Sequence, residues 1–256
     1  MMLPRKKGDP RAALLQAPVQ GNASIAAPQP SVRTADPRRC APPILAETTT
    51  EAFGTQKYWR DMYAADDSEA LAFSWYSGWE DIEPFWAELV PDREARVLLP
   101  GVGNDAAMVG LYDAGWERLT AFDYAVEGVE RSRVLFGERS VDLLHADATC
   151  LEFAADGSFD ATLEKGALDA ICIAGGDSLR KAVDELARVV RPGGVVVSIT
   201  GFSDKISAVF ADEEVWRCVR DGSIHITEEG YATNQINAFF MAWERVGGVS
   251  LSGGEV

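Results

Sequence analysis

From Ala95 onward, short apolar segments alternate with longer segments whose apolar residues recur every three or four positions. The short segments are typical of strands buried on both faces, and the longer ones of helices that cover such strands. Parallel strands need a crossover connection between them, so strands that alternate with helices favour a parallel sheet. The pattern therefore predicts an α/β fold with a doubly wound, mostly parallel sheet.

Individual elements follow from the same pattern. Short apolar segments predict five strands, at 95–99, 119–122, 141–144, 159–163 and 195–199. Three-and-four spacing, with glycine or proline at the ends, predicts helices at 81–89, 105–114, 126–136 and 178–190. Beyond Phe202 the alternation stops, and two last strands are predicted at 215–219 and 236–243. We therefore expect a seven-stranded sheet whose last strand is antiparallel.

Residues 1–50 differ in composition from the rest of the chain. They hold eight prolines and no aromatic residue, and they carry seven Lys or Arg against three Asp or Glu. Such a segment buries too little apolar surface to offset its ordering entropy, which favours disorder. Because the segment is rich in arginine and poor in acids, an organelle transit peptide is a second interpretation. One folded domain is predicted over residues 51–256.

The predicted folded domain is strongly acidic. Residues 51–256 carry 17 Lys or Arg against 37 Asp or Glu. An acidic surface repels phosphate backbones, so we expect no nucleic-acid partner. The charge suits a basic protein or a small molecule as substrate, although a solvated acidic surface without a partner explains it equally well.

Other compositional features argue against membranes, disulfides and metals. No apolar run approaches the roughly 20 residues that a membrane helix needs. The four cysteines lie far apart, which fits reduced intracellular thiols and predicts a cytoplasmic protein. The two histidines cannot build a usual metal site alone, and no metal is expected. These six residues are Cys40, Cys150, Cys172, Cys218, His145 and His225.

The turn between the first strand and the first helix is the candidate ligand site. Gly101 and Gly103 let the backbone turn tightly and let a ligand lie against it. Asp123 follows Gly103 by 20 residues, at the tip of the second strand. A carboxylate there accepts both ribose hydroxyls of an adenosine. The pattern predicts an adenosine-containing ligand, but NAD-dependent enzymes use it too, and a turn that binds nothing is the alternative.

Three further features favour a methyl-donor cofactor over NAD. Asp147 follows the third strand, where it can accept from an adenine amino group, and Ala148 offers a backbone N–H beside it. Residues 191–194, Arg-Pro-Gly-Gly before the fifth strand, form a transition common in methyltransferases. The polar stretch 163–169 lies at the tip of the fourth strand, where ligands meet an open parallel sheet.

With these motifs, the sequence resembles the class I S-adenosylmethionine (AdoMet)-dependent methyltransferases related to the enzymes that methylate translation elongation factor 1-alpha. The resemblance covers about residues 56–245 and implies a Rossmann-like methyltransferase fold that binds AdoMet. The motifs that carry it are Tyr58-Trp59-x-x-x-Tyr63, Gly101-x-Gly103-Asn104, Tyr112-Asp113-Ala114-Gly115, Phe122-Asp123-Tyr124 and Leu163-Glu164-Lys165-Gly166-x-Leu168-Asp169-Ala170.

The resemblance also implies roles in cofactor binding. Three aromatic residues would close over the cofactor, namely Trp59, Tyr63 and Trp75. The remaining cofactor contacts would be Gly101 and Gly103 at the methionine end, Asp123 at the ribose, Tyr124, Asp147 and Ala148 at the adenine, and Lys165 beside the methionine moiety. Core packing of the aromatic residues and a structural ion pair of Lys165 with Asp169 are the alternatives.

The predicted reaction is methyl transfer to a protein amine, with lysine as the acceptor and a basic translation factor as a candidate partner. Glu164 and Asp169 are the predicted catalytic residues, which would orient the amine and take its proton. The family usually has Cys at Val102 and often Leu at Pro100. Because the Pro-Gly-x-Gly variant also occurs in thiol and halide methyltransferases, a small-molecule acceptor stays open, as does a catalytically silent AdoMet-binding module.

Overall fold

The computed structural model describes residues 50–64, 74–224 and 238–247. Within these ranges seven strands form one sheet: β1 (Val97–Pro100), β2 (Leu119–Asp123), β3 (Asp142–His145), β4 (Phe159–Lys165), β5 (Val190–Thr200), β6 (Trp216–Ile224) and β7 (Ala238–Arg245). The α-helices are α1 (Gln56–Ala64), α2 (Trp79–Leu89), α3 (Ala106–Asp113), α4 (Val126–Phe136), α5 (Ala167–Ala174), α6 (Ser178–Val189) and α7 (Ser203–Val209). A short 3-10 helix, Thr50–Gly54, precedes α1.

The strand order is β3-β2-β1-β4-β5-β7-β6. The first five strands in this order are parallel, while β7 pairs antiparallel with both of its neighbours. This confirms the predicted doubly wound, mostly parallel sheet with an antiparallel last strand. The chain winds from β1 to β3 on one side of β1 and continues at β4 on the other. Ligands bind at such a switch point, beyond the carboxyl ends of the strands.

Helices cover both faces of the sheet. On one face α2, α3 and α4 contribute apolar side chains such as Trp86 and Leu111, both fully buried. On the other face α5, α6 and α7 contribute side chains such as Leu186 and Ile206. Helix α1 contributes to neither apolar cluster. It contacts α4, and its Tyr63 lies beside Gly103, just beyond the carboxyl end of β1.

Predicted and observed boundaries differ most at the fifth and sixth strands, and β6 ends at Ile224 rather than at Val219. Helix α4 has the predicted bounds, and α6 ends one residue earlier than predicted. Strand β5 starts at Val190 rather than Val195, and its pairing with β4 shifts register between Phe159 and Ala161. Helices α5 and α7 were not predicted.

Some predictions concern parts of the chain beyond this description. The predicted disorder or transit function of residues 1–50 lies outside the described residues except at Thr50, as do Cys40 and His225. Cys150, Cys172 and Cys218 are free thiols. In the ranges that the structure describes, no helix combines the length and the apolar character needed to span a bilayer.

Candidate active site

The glycine turn between β1 and α3 has the backbone conformation that its sequence predicts. Gly101 has φ 61° and Gly103 has φ 46°, both in the left-handed region that favours glycine. A Cβ at Gly101 would lie 2.7 Å from the Cβ of Ala167, and a Cβ at Gly103 would lie 2.1 Å from the Oη of Tyr63. Both positions therefore require glycine, and the turn packs against α5 on one side and α1 on the other.

Asp123 joins the end of β2 to this turn. Its side chain is buried; Oδ2 accepts from the Gly103 N–H at 3.1 Å, and Oδ1 accepts from the Ala125 N–H at 2.8 Å. Burial raises the pKa of the carboxyl to about 6, although the backbone donors oppose this shift. Since a carboxylate has about four acceptor positions, Asp123 retains the capacity to accept further hydroxyl donors.

The three predicted aromatic residues come together above the turn. The rings of Trp59 and Tyr63 stack with centroids 6.0 Å apart, and Trp75 meets Trp59 edge-on at 5.9 Å. Phe53 and Tyr58 complete this group, here called the aromatic cover. Phe53 was not predicted as a site residue, because it precedes the helical motif that carries Trp59 and Tyr63.

The chain segment that carries the aromatic cover is held on two sides, by the side-chain amide of Gln56 and by the backbone at Gly54. The Gln56 amide donates to the carbonyl oxygen of Tyr124 at 2.7 Å, beyond the end of β2. On the opposite side, a Cβ at Gly54 would lie only 2.5 Å from the backbone nitrogen of Ala174, so the 3-10 helix packs closely on α5. The cover thus spans the region between β2 and α5.

Tyr124, Asp147 and Ala148 lie at the ends of β2 and β3. Tyr124 is half-buried, and its phenol pKa is raised by burial and by the nearby Asp123 and Asp147 carboxylates. Asp147 is exposed, and its Oδ1 accepts from both the N–H and the hydroxyl of Thr149 at 2.8 Å. The three residues therefore share an edge with Asp123, and their contacts with adenine stay a prediction.

Lys165 fastens a short segment to the end of β4. Its fully buried ammonium donates to the hydroxyl of Ser74 at 2.6 Å and to the carbonyls of Trp75 and Ser77 at 2.6 and 2.7 Å. It also lies 2.9 Å from Asp105 Oδ2. Residues 74–77 are here called the strap. The three ammonium protons of Lys165 thus face four acceptors, three in the strap and one on Asp105, so all of its protons are already used.

The ion pair of Lys165 involves Asp105, not Asp169 as the structural alternative proposed. Burial lowers the pKa of Lys165, and the Asp105 carboxylate opposes this shift. Asp105 also accepts from the Ala107 N–H as the N-cap of α3. The predicted position of Lys165 beside the methionine moiety of a cofactor stays a prediction.

Glu164 points to the other side of β4 from Lys165 and is fully buried. Its Oε2 accepts from the Leu168 N–H at 3.1 Å, and its Oε1 accepts from the Ser198 hydroxyl. Burial and the nearby Asp169 carboxylate raise the pKa of Glu164 to about 8. At neutral pH the side chain is therefore mostly protonated, and it connects β4, β5 and the start of α5.

Asp169 forms the second half of this carboxylate cluster, defined as Glu164 and Asp169. Its Oδ2 accepts from the Tyr76 hydroxyl at 2.6 Å and from the Gly201 N–H at 2.9 Å, and its Oδ1 accepts from the Thr200 hydroxyl. Burial raises the pKa of Asp169, whereas its hydrogen-bond donors lower it. The structure thus brings the two predicted catalytic residues together, with Tyr76 and Thr200 as partners that sequence reasoning missed.

Similarity to known proteins agrees with this geometry. A family model described as a methyltransferase domain matches residues 98–198. The chain is 32% identical over 159 residues to the eEF1A lysine and N-terminal methyltransferase of Danio rerio. The aligned residues make up 61% of this chain and 22% of that protein. It is 30% identical over 173 residues to EEF1A lysine methyltransferase 4 of Mus musculus. Here the aligned residues make up 62% of this chain and 66% of that protein.

The chain therefore spans less than two thirds of the length of either relative. Among solved structures, the N-methyltransferase NodS of Bradyrhizobium japonicum superposes with a TM-score of 0.57 at 15% identity, over 75% of this chain and 98% of that chain. At this identity the superposition supports the fold alone. Taken with the glycine turn and the strand order, these similarities show that the chain carries a class I AdoMet-dependent methyltransferase domain resembling the eEF1A lysine methyltransferases.

Proposed function

We propose that the protein transfers a methyl group from AdoMet to an amine of a protein, with a lysine side chain as the acceptor. The observation that carries this proposal is the buried carboxylate cluster at the ends of β4 and β5, beside the glycine turn at the end of β1. The relatives named as eEF1A lysine methyltransferases support a lysine acceptor on a basic translation factor.

The polar groups of the site match those of AdoMet. Asp123 can accept from ribose hydroxyls, because its oxygens have acceptor capacity beyond their two backbone donors. The hydroxyl of Tyr58 is buried and has no hydrogen-bond partner among the described residues. A buried donor without a partner is costly, and a ligand carboxylate such as that of methionine would satisfy it.

When bound, AdoMet would supply a methyl group on a sulfonium, which leaves as a neutral thioether when the methyl group is transferred. The chain's own task is then to orient the reactants and to exclude water. Asp123 would hold the ribose end, Asp147 and Ala148 the adenine, and the aromatic cover would shield the reacting centre. Ring faces of Trp59 and Tyr63 suit a cationic neighbour, because aromatic faces attract positive charge.

The carboxylate cluster would act on the acceptor amine. A lysine must reach the site in its neutral form, so a carboxylate that receives an amine proton favours the reaction. Asp169 is the candidate for this contact. Glu164 holds a proton near neutral pH and would act through Asp169, by limiting the negative charge of the pair.

The folded domain proposed here covers residues 51–256. Disorder of residues 1–50, a transit function of that segment and a cytoplasmic location stay predictions. Expression of the full chain and of a chain that begins at Thr50, each with a C-terminal fluorescent tag, would test the transit function. If residues 1–50 are a transit peptide, the two fusions should be found in different compartments. If the protein is cytoplasmic, both fusions should be found in the cytoplasm.

Calorimetric titration with AdoMet and with NAD tests the cofactor first. We expect saturable binding of AdoMet and none of NAD. Incubation with methyl-labelled AdoMet and whole lysate, followed by separation of protein from small molecules, then tests the acceptor. Label in the protein fraction supports the proposal, whereas label confined to the small-molecule fraction identifies a small-molecule methyltransferase. Tight AdoMet binding without any transfer identifies a silent binding module.

The catalytic assignment has its own test in two isosteric variants. Asp169→Asn removes the ability to take a proton, and Glu164→Gln removes the ionisable group beside it, while both preserve side-chain size. We expect Asp169→Asn to lower the transfer rate strongly without loss of AdoMet binding. Normal turnover in both variants, with intact AdoMet binding, would show that neither carboxylate takes part in the reaction.

A further inference from the structure

Tyr76, in the middle of the strap, has a strained backbone. Its φ is 64°, a left-handed value that favours glycine. The Ser77 N–H donates to the Trp75 carbonyl at 2.7 Å, which closes a three-residue turn around Tyr76. Turns of this kind with a positive central φ are rare and strained. Strain of this type persists only where surrounding contacts hold it, and it clusters at functional sites.

Two glycines make room for the side chain of Tyr76. A Cβ at Gly166, directly after β4, would lie 3.1 Å from Cε2 of the Tyr76 ring. A Cβ at Gly201, directly after β5, would lie 3.2 Å from the Tyr76 hydroxyl. The ring thus lies between the ends of these two strands, and its hydroxyl donates to Asp169 at 2.6 Å.

The other side of the strap is fixed independently. Lys165 binds the carbonyls of Trp75 and Ser77, the two neighbours of Tyr76. The peptide unit before Tyr76 and the carbonyl of Ser77 are therefore anchored to β4, and the strained turn cannot relax without loss of a buried ammonium contact. The same turn places Trp75 in the aromatic cover and directs Tyr76 to the carboxylate cluster.

We propose that Tyr76 is a positioning residue for the methyl acceptor, whose hydroxyl holds the Asp169 carboxylate in the orientation that receives the acceptor amine. This inference rests on the proposed function, in which Asp169 contacts that amine. Gly201 N–H shares the same carboxylate oxygen with Tyr76, and the Thr200 hydroxyl binds the other oxygen. Loss of the Tyr76 donor would leave each oxygen with one donor and would loosen the orientation of the carboxylate.

The Tyr76 hydroxyl also favours the ionised form of Asp169. Among the described residues, the titratable groups that face Asp169 are Tyr76 on the strap and Glu164 on β4. A hydrogen bond donated to a carboxylate lowers its pKa, and Tyr76 has this effect on Asp169. Removal of the hydroxyl therefore raises the pKa of Asp169, so that the acceptor site loses its charge at a higher pH.

The test compares Tyr76→Phe with Tyr112→Phe, a matched control on α3 whose hydroxyl accepts one hydrogen bond from the Ser140 N–H. The probe is the desalted protein fraction of a lysate with methyl-labelled AdoMet. We expect Tyr76→Phe to lower the initial rate about tenfold, the effect of one lost hydrogen bond to a charged group. AdoMet affinity by calorimetry should stay unchanged, and the acidic limb of the rate profile should move to higher pH.

A second pair of variants removes no hydroxyl group. Gly201→Ala brings a Cβ within 3.2 Å of the Tyr76 hydroxyl, whereas Gly222→Ala on β6 places its Cβ where no atom lies within 4 Å. Displacement of the hydroxyl should lower the rate and move the pH profile in the same direction as Tyr76→Phe. We expect Gly222→Ala to match the unaltered protein.

Three outcomes would overturn the proposal. In the first, Tyr76→Phe transfers methyl groups as fast as Tyr112→Phe and with the same pH profile. In the second, thermal stability, AdoMet affinity and rate fall together while the profile stays in place, which would identify a purely structural role. In the third, the unaltered protein binds AdoMet but labels no protein; the proposed function then fails, and this inference fails with it.

Discussion

Three buried carboxyl groups define the chemistry of the site at the scale of single residues. Asp123 faces backbone donors at the glycine turn, Glu164 faces a serine hydroxyl and the start of α5, and Asp169 faces a phenol. Burial raises the pKa of all three, but their donors oppose the shift to different extents. The charge of each group therefore depends on how far its hydrogen-bond donors offset its burial.

Asp123 should make AdoMet binding pH-dependent. The ionised carboxylate accepts from ribose hydroxyls, and it becomes protonated as the pH falls through about 6. AdoMet affinity should therefore be full above that pH and should decline below it. Asp123→Asn should weaken binding at pH 8 by about tenfold to a hundredfold. Calorimetry at several pH values measures both effects. Asp142→Asn, at an exposed position on β3, is the control, and equal effects of the two substitutions would contradict the prediction.

Glu164 should lower stability as the pH rises. Its folded-state pKa of about 8 lies above the ordinary value of 4.5, so the unfolded state ionises first. Between these two pH values the free energy of unfolding should fall relative to Glu164→Gln, by up to about 1.4 kcal/mol per pH unit. Urea unfolding from pH 5 to pH 9 would measure the difference. A constant difference over this range, as expected for exposed Glu138→Gln, would show that Glu164 is ionised in the folded protein.

At the scale of elements, the strap connects parts of the site that lie far apart in the chain. Lys165 ties it to β4 and, through Asp105, to the N-terminus of α3. Tyr76 ties it to α5 and to the end of β5. The strap thus contacts three parts of the site. Trp75 lies in the aromatic cover, the Lys165 contact leads to the start of α3, and Tyr76 binds the carboxylate cluster.

Replacement of Lys165 should destabilise the protein in the absence of any cofactor. Lys165→Met leaves Asp105 buried without its cation, which typically costs about 3 kcal/mol or more of unfolding free energy. The double variant with Asp105→Asn should recover part of this loss, because asparagine is neutral and still caps a helix. Urea unfolding measures these values. If Lys165 acted only as a cofactor ligand, the stability of the cofactor-free protein would not change.

Helices whose apolar residues recur every three or four positions could be predicted from the sequence, and helices without this spacing could not. Helix α4 has an apolar face that repeats every three or four residues, and its predicted bounds are confirmed. Helix α5 was missed because Ala167–Ala174 is apolar almost throughout and shows no period. The glycine turn and Asp123 could be found because they lie in one local motif. Tyr76 and Asp169 stand 93 residues apart, and only the fold brings them together.

At the scale of the whole molecule, charge is the property that should govern the encounter with a protein acceptor. Residues 51–256 carry 17 basic and 37 acidic side chains. Such a surface attracts basic proteins over a distance that dissolved salt shortens.

Methyl transfer to a basic protein should therefore slow as the salt concentration rises. Between about 0.05 M and about 0.5 M salt, the screening length falls severalfold, and long-range attraction is largely lost. We expect the apparent KM for the labelled protein fraction to rise while kcat changes little. AdoMet affinity, measured in parallel, should vary less because the contacts of that site are short-range and buried. An apparent KM that is independent of salt would show that long-range charge attraction does not govern the encounter with the protein acceptor.

The position of β7 has a consequence for synthesis on the ribosome. This strand is the last one in chain order, yet it lies between β5 and β6 in the sheet. Until Ala238–Arg245 has been translated and released, β5 and β6 each expose an edge that has no partner. Unpaired edges readily join strands of other chains. The nascent protein therefore depends on its final strand, or on a chaperone that covers these edges, to avoid association before the sheet is complete.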